Sequence, residues 1–119
     1  MSRSDDERIA DILDASSELA DLVGRGKPVY DGDVLLQRAA ERLLEIIGEA
    51  ASTLSDELIE QIPDVAWRDL RRLRIILAHH YHRVDPDQVW VMVSVEVPAL
   101  AERLSRFTRE TNVYRHDLG

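Results

Sequence analysis

Apolar residues recur every three or four positions in the first part of the chain, which is the spacing of one face of an α-helix. The first run predicts a helix that begins near Ser4, since Ser4 and Glu7 have the spacing of a capping box. Glycines and Pro28 follow this run, so we expect the helix to end at Gly24 and residues 24–31 to form a loop. The apolar stripe consists of Ile9, Ile12, Leu13, Leu19, Leu22 and Val23.

A second helix is predicted for residues 33–51 from a longer stripe with the same period. Gly48 and Ala50 are small, so this helix can approach a neighbouring helix closely. Glu49 lies at the edge of the stripe, where either a solvated or a buried, paired carboxylate is possible. The stripe consists of Leu36, Ala39, Ala40, Leu43, Ile46, Ile47 and Ala50.

The middle of the chain carries the signals of a short helical turn and then of a third helix. Thr53 and Ser55 open the turn, which ends at Pro63, and Asp64 is placed to cap the following helix. The side of that helix predicted to be buried carries leucines three or four positions apart, at Leu70, Leu73 and Leu77.

The last segment has an ambiguous pattern. Asp85 and Pro86 have the signature of a cap followed by a proline in the first helical turn. The valines beyond them alternate, as in a strand, but a lone strand among helices would leave its backbone groups unpaired. We therefore predict a fourth helix, kinked at Pro98 and continuing to about Phe107. The alternating residues are Val89, Val91, Val93, Val95 and Val97.

The predicted fold is all-α, an antiparallel bundle of four main helices plus a short helical turn. We expect residues 1–110 to form a single domain and residues 111–119 a flexible tail. No apolar run approaches the roughly 20 residues that span a bilayer, and the charged N-terminus lacks an apolar signal core. We therefore expect a cytoplasmic protein that does not enter the membrane. The absence of cysteine excludes disulfides and thiolate metal sites.

Charge is distributed unevenly along the chain. The net charge is -8, yet residues 67–83 carry a net +4, with histidine neutral, because they hold five arginines and one aspartate. A local basic segment in an acidic protein is typical of a site for an anionic ligand such as a phosphate. The acidic total argues against general coating of duplex DNA. The arginines are Arg68, Arg71, Arg72, Arg74 and Arg83.

Histidines follow the arginines directly. His79, His80 and His82 lack the spacings of the common metal-binding motifs, and the chain contains no glycine-rich phosphate loop. We therefore expect neither a metal nor another cofactor. Arginine with histidine suits metal-independent cleavage of RNA, in which the 2′-hydroxyl is the nucleophile, arginine neutralises the phosphate and histidine moves the proton.

Within one copy of the chain, the arginine and the histidine needed for this chemistry lie on different sides of the helix. At about 100° per residue, Arg74 and His79 lie some 140° apart around a single helix, whereas Arg74 and Tyr81 share a face. A two-fold dimer that brings two third helices together would place the arginine of one subunit near the histidine of the other.

Each of these residues also has a structural interpretation. Arginines on a helix are most often a solvated face. His79 alone is more typical of a satisfied structural histidine, and Tyr81 alone of half-buried packing. Trp67 and Trp90 are interpreted as core anchors.

Several ordered motifs together resemble the HepT-like toxins of the HEPN superfamily over residues 30–107. The segment I-G-E-A lies on the second helix, P-x3-W precedes the third, and R-x4-H-x-Y ends it. The residues are Ile47, Gly48, Glu49, Ala50, Pro63, Trp67, Arg74, His79, Tyr81, Val84, Asp85, Trp90 and a proline late in the last helix.

The resemblance implies a HEPN-like helical bundle that forms a homodimer or higher oligomer and acts as an endoribonuclease toxin of a type VII-like toxin–antitoxin pair. It implies that Arg74 and His79 are catalytic and that an MntA-type nucleotidyltransferase antitoxin transfers AMP to Tyr81. Arg68, Arg71 and Arg72 are then candidate contacts to RNA phosphates. The alternative is a non-catalytic helical binding partner of a nucleotidyltransferase.

One position departs from the family pattern. The residue after the arginine is usually polar, often asparagine, and here it is Ile75. A polar side chain could orient the arginine or the phosphate and isoleucine cannot, so the catalytic strength of the site is left open.

Overall fold

A computed structural model describes the backbone of residues 3–79 and 84–118 and the side chains of residues 4–77 and 84–112. No strand occurs in these ranges, so the all-α prediction is confirmed. No described helix is long and apolar enough to cross a membrane. The elements are α1 Arg3–Gly24, α2 Lys27–Asp31, α3 Val34–Ser52, α4 Asp56–Gln61, α5 Trp67–His79, α6 Pro86–Val91, a π-helical turn Met92–Glu96 and α7 Val97–Leu118.

Helix α3 is the centre of the bundle. It packs against α1 on one side and against α5 on the other, while α1 also contacts the π-helical turn and α7. One hydrophobic core joins these helices, and the predicted stripe of α1 points into it. Fully buried members include Ile12, Leu19, Tyr30, Ala40, Leu44, Ile47, Leu58, Ile62, Val89, Val93 and Leu104.

Three helices have side-chain caps at their starts, two of which, Ser55 and Asp85, were expected from the sequence. The Asp33 carboxylate accepts a hydrogen bond from the backbone N–H of Leu35 at 2.9 Å, Ser55 caps α4, and Asp85 caps α6 with Pro86 in its first turn. Each cap satisfies a backbone donor that the helix itself leaves free. These caps therefore fix where α3, α4 and α6 begin.

The loop predicted for residues 24–31 is wrong, because it contains the short helix α2. Gly26 adopts φ +93°, which favours glycine, and Pro28 then lies in the first helical turn. The helix places Tyr30 in the core, where its hydroxyl donates to the Pro86 carbonyl at 2.8 Å. Burial, together with the nearby carboxylate of Glu41, raises the pKa of Tyr30 to about 12.

Helix α2 is also tied to α6 at the surface. The Lys27 ammonium group lies 2.9 Å from the carboxylate of Asp31 and 3.0 Å from that of Asp87, and these hydrogen bonds raise the pKa of Lys27. Beneath them, the rings of Tyr30 and Trp90 lie 5.0 Å apart. The early and late parts of the chain are therefore joined by both an aromatic contact and charge.

Two predicted helix starts are wrong. Ser4 lies within α1 rather than before it, and the neighbouring Asp5 is buried and accepts hydrogen bonds from the backbone N–H and the hydroxyl of Ser55, at 2.9 and 2.6 Å. Asp64 does not cap the third helix, since α5 begins only at Trp67. Its carboxylate instead pairs with Arg103 of α7 through bonds of 2.7 and 3.2 Å, and this guanidinium lowers the pKa of Asp64.

The alternating valines lie in a helix, as predicted, and that helix is irregular. Its π-helical turn closes with a bond from the Val97 N–H to the Met92 carbonyl. Pro98 follows at once and lacks the N–H that the Ser94 carbonyl would meet in a regular α-helix. The kink predicted at Pro98 thus coincides with a π-helical distortion. Helix α7 continues to Leu118, and the flexibility of residues 111–119 stays a prediction.

Candidate functional site

The start of α5 is anchored by Trp67. The indole is buried and its N–H donates to the Ile62 carbonyl at 2.9 Å, while the Trp67 backbone N–H bonds to the carbonyl of Val65 at 2.9 Å. The interpretation of Trp67 as a core anchor is confirmed. The P-x3-W motif therefore fixes the position from which the basic helix α5 projects.

Helices α3 and α5 approach each other closely at Gly48. A Cβ atom at this position would come within 2.9 Å of the Leu70 carbonyl oxygen and 3.0 Å of the Arg74 Cβ. The expectation that Gly48 permits close helix packing is confirmed. The flanking residues Ile47 and Ala50 are buried, and Glu49 is exposed, which resolves its alternatives in favour of a solvated carboxylate. Gly48 of the I-G-E-A segment thus sets how closely α5 packs against α3 at Leu70 and Arg74.

The α5 arginines differ in their surroundings. Arg71 is partly buried, and its Nε–H donates to the Ala51 carbonyl in the last turn of α3, at 3.4 Å. A cation near the C-terminal carbonyls of a helix is stabilising. Arg68, Arg72 and Arg74 are exposed. Arg71 therefore has a structural contact that the other three lack.

None of these four arginines forms an ion pair with a described residue, although the chain has 23 acidic residues and 15 basic ones. Among the other described cations, Arg25, Arg106 and Arg109 also lack an ion pair, whereas five cations pair with carboxylates. The pairs are Arg8–Asp11, Lys27–Asp31, Lys27–Asp87, Arg38–Glu41, Arg42–Glu45 and Arg103–Asp64. The outer side of α5 therefore carries four arginines and Asp69, and none of these arginines is ion-paired with a carboxylate among the described side chains.

Two isoleucines interrupt this basic surface. Ile75 is 51% exposed and Ile76 is 44% exposed. Large apolar side chains at such exposure on a charged helix are typical of a surface that another molecule covers.

Arg74 and His79 are not brought together within one copy of α5. Their backbones lie five positions apart on one helix, about 140° around its axis and about 7.5 Å along it. The described side chains end at Leu77 in this helix, so the His79 side chain and all of Tyr81 lie outside the described residues. The assignment of Arg74, His79 and Tyr81 as site residues stays a prediction.

A groove of about 570 Å³ lies between α5 and α7. Its apolar wall includes Leu70, Leu73, Met92 and Leu100, and the Asp64–Arg103 pair contributes to its rim. Sequence reasoning missed this groove. The sequence did place Leu73 and Leu100 on apolar helix faces. It does not show that α5 and α7 are separated by a groove at these residues.

Metal ligation has no support among the described side chains, where no three His, Asp or Glu groups lie close enough to share an ion. The side chains of His79, His80 and His82 lie outside the described residues.

The chain is similar to known ribonuclease-named proteins along most of its length. A family model described as ribonuclease HepT-like matches residues 12–107, which extend from α1 to the middle of α7. A protein of Methanocaldococcus jannaschii named as a candidate RNase is 33% identical over 92 residues, covering 77% of this chain and 71% of the relative. No solved structure gives a significant match.

Two further relatives match this chain at similar identity and over segments of similar length. A Thermococcus cleftensis protein provisionally named ribonuclease HepT is 32% identical over 77 residues, covering 65% of this chain and 70% of the relative. A second M. jannaschii protein, also named as a candidate RNase, is 34% identical over 70 residues, covering 59% of this chain and 64% of the relative. The matched segments thus span about two thirds of these relatives.

Proposed function

The chain belongs to the HepT-like ribonuclease family, and on that premise we propose that it is a metal-independent endoribonuclease whose active site forms between two copies of α5. The observation that carries the proposal is the basic outer side of α5, which has no carboxylate partner among the described residues of an acidic protein. A surface of this kind attracts an anionic ligand such as the phosphate backbone of RNA.

The chemistry follows from the predicted pair, Arg74 and His79. The ribose 2′-oxygen attacks the adjacent phosphorus while the histidine of one subunit accepts its proton. The bond to the 5′-oxygen of the next nucleotide breaks, and that oxygen takes up a proton. Arginine neutralises the extra negative charge on the phosphate oxygens as they pass through the five-coordinate arrangement. The products are a 2′,3′-cyclic phosphate and a free 5′-hydroxyl, and DNA is spared because it lacks the nucleophile.

A homodimer is part of the proposal because one helix holds Arg74 and His79 on different sides. A two-fold axis near the end of α5 would bring Arg74 of one subunit toward His79 of the other. The exposed Ile75 and Ile76 support the dimer, because a second copy would remove their apolar surface from water.

Regulation is proposed at Tyr81, by transfer of AMP from a nucleotidyltransferase antitoxin. Each AMP would add a phosphate charge and bulk beside a basic surface, which excludes RNA by repulsion and by occupying space. The chain is then the toxin of a toxin–antitoxin pair, acting in the cytoplasm.

The test is cleavage of single-stranded RNA by the purified full chain in excess chelator, after mass spectrometry has shown that Tyr81 is unmodified. We expect the wild type to produce 2′,3′-cyclic phosphate ends and both Arg74→Ala and His79→Ala to lose the activity. Arg109→Ala, which removes an exposed arginine of α7, serves as the control and should cleave normally. Absence of cleavage by folded, dimeric, unmodified wild type would refute the nuclease proposal.

A second candidate is a non-catalytic partner of a nucleotidyltransferase. The exposed Ile75 favours it, since an apolar residue beside Arg74 suits a docking surface better than a phosphate site. In that case His79→Ala would leave the complex with the nucleotidyltransferase intact. The wild type, Arg74→Ala and His79→Ala would then all fail to cleave RNA.

A further inference from the structure

The outer arginines of α5 are arranged in a line that leads to position 79. Position 72 is seven residues before position 79, and position 68 is eleven residues before it. At about 100° per residue, all three positions lie within some 40° of one another around the helix. Arg74 and Arg71 are about 140° and 80° away from position 79, so they do not belong to this line.

Side-chain contacts also distinguish Arg68 and Arg72 from Arg71 and Arg74. Arg71 is partly buried and donates to the Ala51 carbonyl, and the backbone beneath Arg74 faces Gly48 of α3. Arg68 and Arg72 are exposed and have no hydrogen-bond or ion-pair partner among the described residues. Their guanidinium groups are therefore available to a ligand.

The spacing along the helix suits a chain of phosphates. Arg68 and Arg72 are about 6 Å apart along the axis of α5, and Arg72 is about 10.5 Å from position 79. Neighbouring phosphates of an extended single strand can span one helical turn. Arginine also bonds phosphate oxygens in a bidentate manner.

The line lacks the side chains that read bases. Between positions 68 and 77 the helix has no aromatic residue, and single strands are read largely by stacking on aromatic rings. Contacts to phosphate fix the position of a strand and carry no sequence information.

We propose that Arg68 and Arg72 form a phosphate track, which binds the backbone of single-stranded RNA beyond the cleaved phosphate and toward the N-terminal end of α5. The track rests on the proposed function for the position of the cut, and it adds the substrate class: single-stranded RNA several nucleotides long, held with little dependence on sequence. The track makes these two arginines positioning residues, because they hold phosphates that do not react.

The experiment measures binding of a 2′-O-methyl oligouridine of 12 nucleotides, which cannot be cleaved because its 2′-oxygens are blocked. The full chain is compared with Arg68→Gln/Arg72→Gln at several salt concentrations. We expect the double variant to bind roughly tenfold more weakly and the slope of log K against log salt to fall by about 1.4, since each phosphate contact in a single strand contributes about 0.7. A dinucleotide of the same chemistry should bind both proteins equally.

Two variants control for charge and folding. Arg109→Gln removes one positive charge, half of what the double variant removes, from an exposed position on α7, which also carries Glu102 and Glu110, and it should bind as the wild type does. Arg68→Lys/Arg72→Lys keeps the charge and should recover most of the salt dependence, with weaker binding because lysine cannot make the bidentate contact. Circular dichroism and sedimentation establish that each variant is folded and has the wild-type mass.

Three results would overturn the track. The double variant could bind the 12-mer as the wild type does, Arg109→Gln could lose as much affinity, or the double variant could dissociate into monomers, which would place both arginines between protein subunits. Cleavage is scored separately with unmodified RNA. If the wild type fails to cleave but the binding differences appear, the proposed nuclease fails, and Arg68 and Arg72 remain a binding site for RNA phosphates with no position relative to a cut.

Discussion

Replacing Gly48 with alanine tests the contact that positions α5. The new Cβ would lie 2.9 Å from the Leu70 carbonyl oxygen, and 3.0 and 3.1 Å from the Cβ and backbone nitrogen of Arg74. An ordinary contact begins near 3.4 Å, so α3 and α5 must separate by about 0.5 Å. None of the three atoms is the end of a flexible side chain, and local rotation therefore cannot relieve the clash.

Two opposing terms set the size of the effect. Alanine is favoured over glycine inside a helix by about 1 kcal/mol, and overpacking a well-packed contact costs typically about 1–3 kcal/mol. Because backbone atoms are involved, we place the cost at the upper end of that range. The net loss is then about 1–2 kcal/mol, which lowers Tm by roughly 5–10 °C for a domain of this size.

Thermal unfolding followed by circular dichroism measures this loss. Gly24→Ala is the matched control, because a Cβ at Gly24 would meet no atom within 4 Å, and its Tm should change little. A Gly48→Ala protein with a Tm equal to or above that of the wild type would show that the α3–α5 contact is looser than described. If Arg74 is catalytic, Gly48→Ala should also lower cleavage at temperatures where the protein remains folded, since shifts below 1 Å in a catalytic group reduce rates strongly.

Two further predictions concern titrating groups. Tyr30→Phe removes the hydrogen bond to the Pro86 carbonyl and should cost about 0.5–1.5 kcal/mol at neutral pH. Since the folded pKa of Tyr30 is raised from 10.0 to about 12, ionisation of Tyr30 in the unfolded chain removes stability from the wild type above pH 10 and has no counterpart in Tyr30→Phe. This rise in the pKa corresponds to more free energy than the hydrogen bond contributes, so urea unfolding should show the difference between the two proteins shrinking above pH 10 and reversing by about pH 12. Asp64→Asn breaks the pair with Arg103, and because that pair lowers the pKa of Asp64 from 3.8, its contribution is present above that pH and is lost as the pH falls further. The Tm difference between wild type and Asp64→Asn should therefore be small at pH 7 and disappear in acid; a difference that grows in acid would contradict the pairing.

Most helices could be predicted because their signals are local. The stripe of α1, the caps at Asp33, Ser55 and Asp85, and the preference for helix over strand among the valines each depend on residues within a few positions of one another. The errors arose where a distant partner decides the outcome. Asp64 looks like a helix cap until Arg103, far along the chain, takes its carboxylate.

Helix α2 was not predicted from the sequence, for a similar reason. Glycines and Pro28 are typical of a loop, but Tyr30 gains a buried position and a bond to Pro86 by closing one helical turn. That gain comes from α6, which a local pattern does not contain.

The candidate site was predictable in part. Trp67 and Gly48 have the roles predicted from their size and apolar character, since Trp67 anchors α5 and Gly48 lets α5 approach α3. The sequence alone did not separate Arg71, which bonds to α3, from Arg68 and Arg72, because all three look alike as solvated arginines. The proposed catalytic geometry involves a second copy of the chain and residues 79–83, so neither the sequence nor the described residues of one copy contain it.

The π-helical turn at Met92–Glu96 has a consequence for changes in chain length. A π-helical turn holds one residue more than the α-helical turn that it replaces. Deleting one exposed residue there, such as Val95, would return the turn to α-helical length while Val89 and Leu104 keep facing the core. Pro98 would still leave one carbonyl without its N–H partner. A deletion in α3 or α5 would instead rotate every following side chain by about 100°. Single-residue deletions should therefore be tolerated in this turn better than in α3 or α5.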